Sequence, residues 1–561
     1  MTQPETTTIA IVGAGPVGLM LAAELGMRGV PAVLLGDSAG VSTHPKANTH
    51  GARSMEIYRR HGLSDRLRER SPSKDYRTDV AYYTRLLGHE LHRVSLPSSG
   101  EAIAETRQPG TRWPTPEPQF RSSQLVLEPL LLERARQFPI VDIRFNQRVV
   151  GLAQDAAGVD LEVEGADDER KSIRADYVVG ADGGRSFVRQ AIGTRLLGEG
   201  GLELDFMGGR MQATYFRAPG LEAMRRHPHA WQQWFILPHL RALLLTLDPD
   251  GGLYLLHYQL PADGTPAKPF QEVLDEVVGA PTPAQVISSA DWRAGVSLVA
   301  ERFRIGRCFL AGDAAHLFTP TGGFGVNTGI EDAVNLAWKL AGVTQGWAGE
   351  ALLDTYEAER KPTALRNTSY ALTLARRNGE CPVGAEIEAE TDAGARARAD
   401  ASRHLAAFAR WEFDTPGIQL GLSYRSSPAI IDDGAAATPD DPTEYAASAA
   451  AGQRLPHVWL PGGGSLYDRL GQGFTLIDLC EAVTGAGWRD AAAARGVPLE
   501  ILHLPGADEL RALAGAELLL VRPDQHIAWR GVSGDPGAIL DVVTGNQAAA
   551  TQSKLKLGET A

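Results

Sequence analysis

Two periodicities run along this chain and divide it. Ile9-Ala10-Ile11-Val12 is apolar at every position, as in a strand buried on both faces. After a glycine turn, Leu19, Met20, Ala22, Ala23 and Leu25 continue as a helix that Gly29 ends, and Val33-Leu34-Leu35 makes a second strand. A helix starts at about Arg53. Strands are predicted near 80 to 95, within a stretch from 71 to 120 rich in Pro, Ser and Gly. Leu125, Leu127, Leu130, Leu131 and Ala135 have helical spacing, and residues 140 to 165 alternate like paired strands. Two further apolar strands, Tyr177-Val178-Val179 and Arg307-Cys308-Phe309-Leu310-Ala311, each lead into a turn and a helix. The second helix is expected from about Thr328, with Ala333, Leu336, Ala337 and Leu340 on its apolar stripe.

Between these units the pattern changes to separate strands, at Met211–Arg217, Trp231–Leu237, Leu243–Leu247 and Leu253–Leu260, divided by turns such as Asp248-Pro249-Asp250-Gly251-Gly252. That predicts a mostly antiparallel sheet inserted in the chain. Alternation along Leu253–Leu260 puts His257 and Gln259 on one face and Tyr254 and Tyr258 on the other. Residues 351 to 413 read as helical, with 385 to 410 charged and Ala-rich, as on a solvated linking helix. A linker at 432 to 450 precedes short strands at Phe474–Leu479, Leu499–Leu504 and Leu518–Val521.

At 561 residues the chain is too long for one core. Acidic residues outnumber basic ones, 68 to 55, and the net charge of −13 argues against nucleic acid or an anionic membrane as a partner. Cys308, Cys381 and Cys480 have no CxxC spacing, so neither a disulfide framework nor a zinc site is expected. The start lacks a basic signal-peptide region, and no run approaches the ~18 apolar residues of a membrane span. A cytoplasmic protein is expected, with a homo-oligomer as its assembly and no metal site.

The chemistry sits in the turns. Gly13, Gly15 and Gly18 form G-x-G-x-x-G between strand and helix, a backbone shape for a pyrophosphate at a helix N-terminus, with Val17 in its first turn. An acidic residue about 20 positions on should bind a ribose. The second strand ends on Gly36, so Asp37 is the candidate. Gly312-Asp313 precedes the glycine-rich Pro320 to Gly325, which offers free backbone N–H groups at a helix start. An anionic ring with a polyol tail would suit both. Asp182-Gly183-Gly184 makes a third turn of this kind. His44, Lys46, His50 and Arg53 form a basic stretch just after the nucleotide unit, and Arg121 and Gln124 open the next helix. Each motif alone describes an ordinary strand–turn–helix connection; their recurrence argues for one shared ligand.

GAGPVG, ADGGRS, GDAAH and PTGGFGVN, in that order over the first 385 residues, resemble the class A flavoprotein monooxygenases typified by para-hydroxybenzoate hydroxylase. The phenol-hydroxylase-like and aromatic-polyketide hydroxylase branches are most similar. The resemblance implies an α/β protein: a Rossmann-type FAD-binding domain (1–75, 100–190 and 295–385), an inserted antiparallel substrate domain (76–99 and 191–294), a helical linker (386–430) and a thioredoxin-like C-terminal domain (431–561) lacking CxxC. By this resemblance Gly13, Gly15, Val17 and Gly18 hold the FAD pyrophosphate, Asp37 the ribose and Lys46, where the family has Arg, a phosphate. Arg121 and Gln124 meet the cofactor, Val149 gives a backbone contact near the adenine, and Asp182 serves FAD and NAD(P)H. Gly312 and Asp313 meet the ribityl chain; Gly323, Gly325, Val326 and Asn327 meet the flavin pyrimidine edge. The Pro320 carbonyl lies near the reacting hydroxyl. Tyr215, Trp234, His257 and Tyr258 are the substrate candidates.

The implied reaction is hydroxylation of a small aromatic molecule by O2, with NADPH or NADH as reductant, through a flavin C4a-hydroperoxide. The rivals are Baeyer–Villiger or epoxidising oxygenation on the same scaffold and, in another class, a non-catalytic flavin-binding sensor.

Overall fold

The computed structural model describes residues 5–546, apart from 168, 201–208 and 262–266. The outer ends of the expected domain bounds, and those two stretches of the substrate domain, lie outside the described residues. The central sheet runs in the order Arg304–Ile305, Cys308–Leu310, Arg170–Gly180, Glu5–Val12, Ala32–Leu35, Val141–Arg144. The five strands from Cys308–Leu310 to Val141–Arg144 pair in parallel. All-apolar strands belong here because helices cover the sheet: Pro16–Met27 packs between Gln124–Arg136 and Phe324–Thr344. Arg148–Gln154 and Val159–Glu164 extend the sheet as an antiparallel hairpin on Arg170–Gly180.

The second sheet runs Gln285–Ala294, Gly209–Arg217, Leu253–Gln259, Arg241–Asp248, Gln232–Ile236, Val80–Tyr83, Glu90–Val94. It is antiparallel except where Gln232–Ile236 meets Val80–Tyr83 in parallel. The early insertion at 80–94 therefore completes a sheet built mostly more than 100 residues later. Alternation gives it two different faces. One packs on the helix Phe270–Val278, with Phe216, Phe235, Tyr254, Leu256 and Tyr258. The other carries Tyr82, Trp234, Leu243 and Leu255 and packs on the helix Asp392–Phe408. Phe270–Val278 is a helix whose Val273, Leu274, Val277 and Val278 recur at helical spacing, whereas Gln285–Ala294 was not legible in the periodicity, being exposed at its start and mixing Ser, Asp and Trp.

Two expectations are corrected. The helix Asp392–Phe408 is not a solvated connector: Ala401, Leu405 and Phe408 are buried beneath the sheet. The loop helix begins at Phe324, not Thr328. Gly322 and Gly323 have φ of +78° and +65°, so the chain enters the helix directly after this left-handed pair. The apolar stripe shows only where a helix meets the core, and this first turn faces the cleft.

The terminal domain has a four-stranded sheet, Leu499–His503, Phe474–Asp478, Leu518–Val521, Ile527–Gly531, parallel in its first pair and antiparallel thereafter. It docks through the turn after Leu518–Val521. Arg522 grips both oxygens of Glu359 at 2.7 and 2.8 Å, while Asp524 accepts from Asn335 at 3.1 Å and Trp338 at 3.3 Å. Lys339 completes the cluster on Glu359 at 2.7 Å. Among the described residues no helix is long and apolar enough to cross a membrane.

Candidate active site

The three glycine–aspartate turns meet. A Cβ on Gly13 would lie 2.3 Å from Ala181 O and 2.8 Å from Asp182 Cα; one on Gly312 would lie 2.9 Å from Val17 Cγ2. The dinucleotide turn thus touches the other two directly. On Gly18 a Cβ would sit 1.9 Å from Gly13 O, whereas beside Gly15 nothing lies within 4 Å. Gly18 closes the turn on itself, and Gly15 faces open space. The helix after it has no side-chain cap, so its first N–H groups are left for an outside acceptor.

Gly36 explains the shifted acid. A Cβ there would strike Ala14 Cβ at 2.7 Å. No side chain fits at the strand end, and Asp37, exposed one position later, is the first place a carboxylate can stand.

Asp313 is open to water at the cleft, yet the protein crowding it raises its carboxyl pKa against the pull of His316 and Lys46. Lys46, exposed, therefore shares the cleft with Asp313. The turn is held from behind. Asp332, fully buried, accepts from Gly312 N at 3.1 Å, His316 Nε2 at 2.6 Å and Arg360 Nε at 2.7 Å. Burial opposes the Asp332 charge, but the His316 and Arg360 partners hold its pKa below the usual range. Arg360 also donates to Thr328 O at 3.0 Å and to Tyr424 OH at 2.8 Å. Tyr424 stacks on His526 of the terminal domain at 4.2 Å. Sequence reasoning missed this scaffold, although the histidine of GDAAH and the charges of Glu331-Asp332 in a helix of buried spacing were its signal.

The start of the loop helix has no side-chain cap. Its backbone around Gly325 and Val326 is half-buried, and the Asn327 side chain ties it to the facing strand, accepting from Gly51 N at 2.8 Å and donating to Thr49 O at 3.0 Å and Gly323 O at 2.7 Å. Pro320 is exposed, and its carbonyl accepts from Gly323 N at 3.3 Å.

Several candidates serve the protein itself. Gln124 accepts from Ala47 N at 3.1 Å and donates to Glu128, which in turn accepts from Ser42 N at 2.6 Å; both amide ends hold the 42–47 loop. Asp182 Oδ2 accepts from Val188 N at 3.1 Å and caps the helix Phe187–Ala191; its Oδ1 is buried without a partner, and burial raises its pKa. Val149 is buried in the hairpin opposite Val163. His50 is buried against Ser122 O at 3.1 Å, its pKa pushed down to about 4 by burial. Arg53 pairs with Glu56 at 2.8 Å and with Asp524 O at 2.7 Å, so this part of the basic stretch is interior packing rather than cleft.

The substrate candidates separate by face. Tyr215, Trp234 and His257 share the face toward the cofactor domain, where Trp234 stacks on Tyr82 at 6.0 Å and His257 meets the edge of Trp292 at 5.6 Å. Tyr258 is corrected: it lies on the opposite face, packed against the helix Phe270–Val278 and bonded to Gln212. Among the described residues His257 Nδ1 is buried without a hydrogen-bond partner, and burial pushes the His257 pKa down to about 4. His44 bridges the two domains, Nδ1 to Ser288 Oγ at 2.8 Å. No group of three or more His, Cys, Asp or Glu among the described residues could hold a metal.

The family described as FAD binding domain matches residues 5–371, and that described as aromatic-ring hydroxylase, C-terminal, matches 448–549. This chain belongs to the FAD-dependent aromatic-ring monooxygenases. It is 32% identical to tetracenomycin B2 monooxygenase-dioxygenase of Streptomyces olivaceus, over 95% of this chain and 97% of that protein. It is 31% identical to aklavinone 12-hydroxylase of Streptomyces purpurascens, over 93% and 95%. Among solved structures, the rebeccamycin biosynthetic enzyme RebC with reduced flavin superposes with a TM-score of 0.85 at 33% identity, covering 97% of this chain and 100% of that one. A ternary complex of aklavinone-11 hydroxylase with FAD and aklavinone gives 0.78 at 29% identity, covering 97% and 100%. In this monooxygenase FAD fits the cleft just described: open space at Gly15, two uncapped helix starts and the accessible Asp313.

Proposed function

We propose that this monooxygenase hydroxylates a polycyclic phenolic substrate of the aromatic polyketide kind, with NADPH or NADH as reductant. The observation that carries the reading is the meeting of the three turns opposite a sheet face bearing Tyr82, Tyr215, Trp234, His257 and Trp292. Relatives that act on fused aromatic ring systems support it.

FAD, when bound, supplies electron storage and the activation of O2. The chain's residues bind, orient and shield it. N–H groups of Val17 and Gly18 would take the pyrophosphate, Lys46 a phosphate, Asp37 the adenosine ribose and the Val149 backbone the adenine side. Gln124 positions the 42–47 loop, and Arg121 lies beside it. Gly312 turns the chain so that Asp313 can accept from ribityl hydroxyls. Backbone N–H groups of Gly323, Gly325 and Val326, at a helix N-terminus, favour negative charge on the flavin pyrimidine edge; Asn327 locks that turn. The Pro320 carbonyl is an acceptor at the substrate side, and Asp182 lines the nicotinamide approach. The sheet closes over the reacting centre and keeps water out. Tyr215, Trp234 and His257 would hold the aromatic rings, the last as a neutral imidazole.

A screen of hydroxyanthraquinones and hydroxynaphthoquinones for stimulated NAD(P)H oxidation under 18O2 tests this. One labelled oxygen on a ring carbon is expected. Label within an expanded ring would instead indicate Baeyer–Villiger insertion, and no stimulation by any phenolic polycycle would sink the substrate class. The expected form is a cytoplasmic homo-oligomer, which light scattering of purified protein checks.

A further inference from the structure

Beside the Gly322–Gly323 turn, two buried opposite charges lie near each other without pairing: the Arg121 guanidinium sits over the ring of Phe413, next in the chain to Glu412, at 5.6 Å. Arg121 is 6% exposed; Nη1 donates to Thr49 Oγ1, and Nη2 is buried with no partner. Glu412 is 4% exposed and accepts from Asn378 Nδ2 at 3.0 Å and Gly322 N at 3.3 Å, both uncharged donors. Arg121 and Glu412 influence each other electrostatically, yet no ion pair within 4.0 Å joins them. Tyr82 completes the group from the substrate sheet: its hydroxyl is buried without a partner and feels the Glu412 charge.

Three elements from three parts of the chain supply these groups: the strand Phe120–Arg121, the strand Val80–Tyr83 and the short helix Arg410–Phe413. A buried cation that leaves one of its donors without a partner is costly to the fold. A buried donor kept without a protein partner marks a place where a ligand, an ion or a water can complete it.

We propose that Arg121, Tyr82 and Glu412 form the subsite for the acidic hydroxyl of the aromatic substrate, with Glu412 as the base that takes its proton. The O–H bond breaks, the proton passes to a Glu412 carboxylate oxygen, and the electron pair stays on the substrate oxygen. Arg121 Nη2 and Tyr82 OH donate to the resulting phenolate, which enriches the ring for attack by an electrophilic oxygen. Burial suits both ions to this exchange. It raises the Glu412 carboxyl pKa, against Asn378, Gly322 and Arg121, so the carboxylate is a stronger base. It lowers the Arg121 pKa to about 10, against Glu412, which leaves the guanidinium charged near neutrality and in want of an anion. Two tyrosines that feel the Glu412 charge stay neutral there: burial pushes Tyr370 to about 12 and Tyr82 well up. This subsite rests on the reading of the cleft as an aromatic-binding site.

The test uses the FAD-loaded full chain with 1,8-dihydroxyanthraquinone, a phenol that changes colour on ionising. At pH 6.5 the bound dye should show its phenolate absorption with no net proton release, read by a pH indicator. Glu412→Gln should abolish the phenolate band or couple it to release of about one proton per dye. Arg121→Gln should remove the band and weaken dye binding about tenfold or more, by more than it weakens FAD binding. Tyr82→Phe, which deletes one hydroxyl and leaves packing intact, should weaken dye binding several-fold. A neutral bound dye in the wild type, or wild-type behaviour in Glu412→Gln, overturns the proposal. So does Arg121→Gln losing FAD rather than dye, which would make Arg121 a cofactor ligand. If the wild type holds FAD but binds no dye, the aromatic-cleft reading falls first and the subsite with it.

Discussion

Two sets of buried polar side chains around the cleft are satisfied to different degrees. Behind the cofactor wall, Asp332, Arg360, Glu359, Arg522 and Asp524 are buried and saturated with partners, several of them doubly. On the substrate sheet Tyr82 OH, His257 Nδ1 and Trp292 Nε1 are buried and unpaired, as are Arg121 Nη2 and Asp182 Oδ1 across the cleft. A saturated network is costly to break and holds backbone in place. Unpaired groups contribute little to the fold and are available to a ligand. The contrast separates what positions the cofactor from what chooses the substrate.

The largest expected effect comes from breaking the saturated side. Asp332→Ala leaves Arg360 buried and one partner short, which should cost about 3–5 kcal/mol in denaturant unfolding and strip FAD from the purified protein. An unchanged midpoint with full flavin would show that this network positions nothing. Gly18→Ala comes next. Its Cβ must displace the Gly13 carbonyl, so apo stability should fall by about 1–3 kcal/mol. Gly15→Ala, with room around it, should leave apo stability alone and weaken FAD alone, which fluorescence titration distinguishes.

Acid should erode stability in two stages. Folded His50 and His257 titrate at about 4 against an ordinary 6.5, so the unfolded chain binds more protons and stability falls as pH drops from 6.5 toward 4. Glu359 and Glu56 are held at about 2 against 4.5, where burial opposes and arginine charge prevails. Their stabilisation is complete above 4.5 and is lost on the way to 2. Urea midpoints that stay level from pH 7.5 to 4 would contradict the first stage.

On the unpaired side, His257→Leu should change stability by less than about 1 kcal/mol, since no hydrogen bond is lost, yet raise KM for the aromatic substrate. A large destabilisation would erase the distinction between the walls. The smallest effect belongs to Arg403→Ala, whose exposed pair with Asp400 should be worth about 0.5 kcal/mol or less.

Much of the cofactor wall was legible. Its turns are written in contiguous glycine and aspartate residues whose backbone demands show in the sequence, and the all-apolar strands named a covered sheet. Gln124 and His50 were read as cleft residues because a helix start or a basic stretch carries no record of what its side chains meet; both are used up inside the protein. The substrate wall was harder. Tyr258 and His257 are neighbours in sequence and opposite in space, and which face looks inward depends on the helices that pack on each. Glu412 lies about 90 residues from Gly322 and 290 from Arg121, with no motif around it.

Local order, then, belongs to the sequence alone: the glycine turns, the strand and helix periods, the absence of a redox cysteine pair. Turn geometry and burial patterns act over a few residues, so they can be read from a few residues. Tertiary structure alone decided that Val17 touches Gly312, that Asp332 braces that turn, and that Arg121 lies over Phe413, beside an unpaired Glu412. Those facts depend on contacts between segments far apart in the chain, where electrostatics and close packing act on distance in space and are blind to distance in sequence.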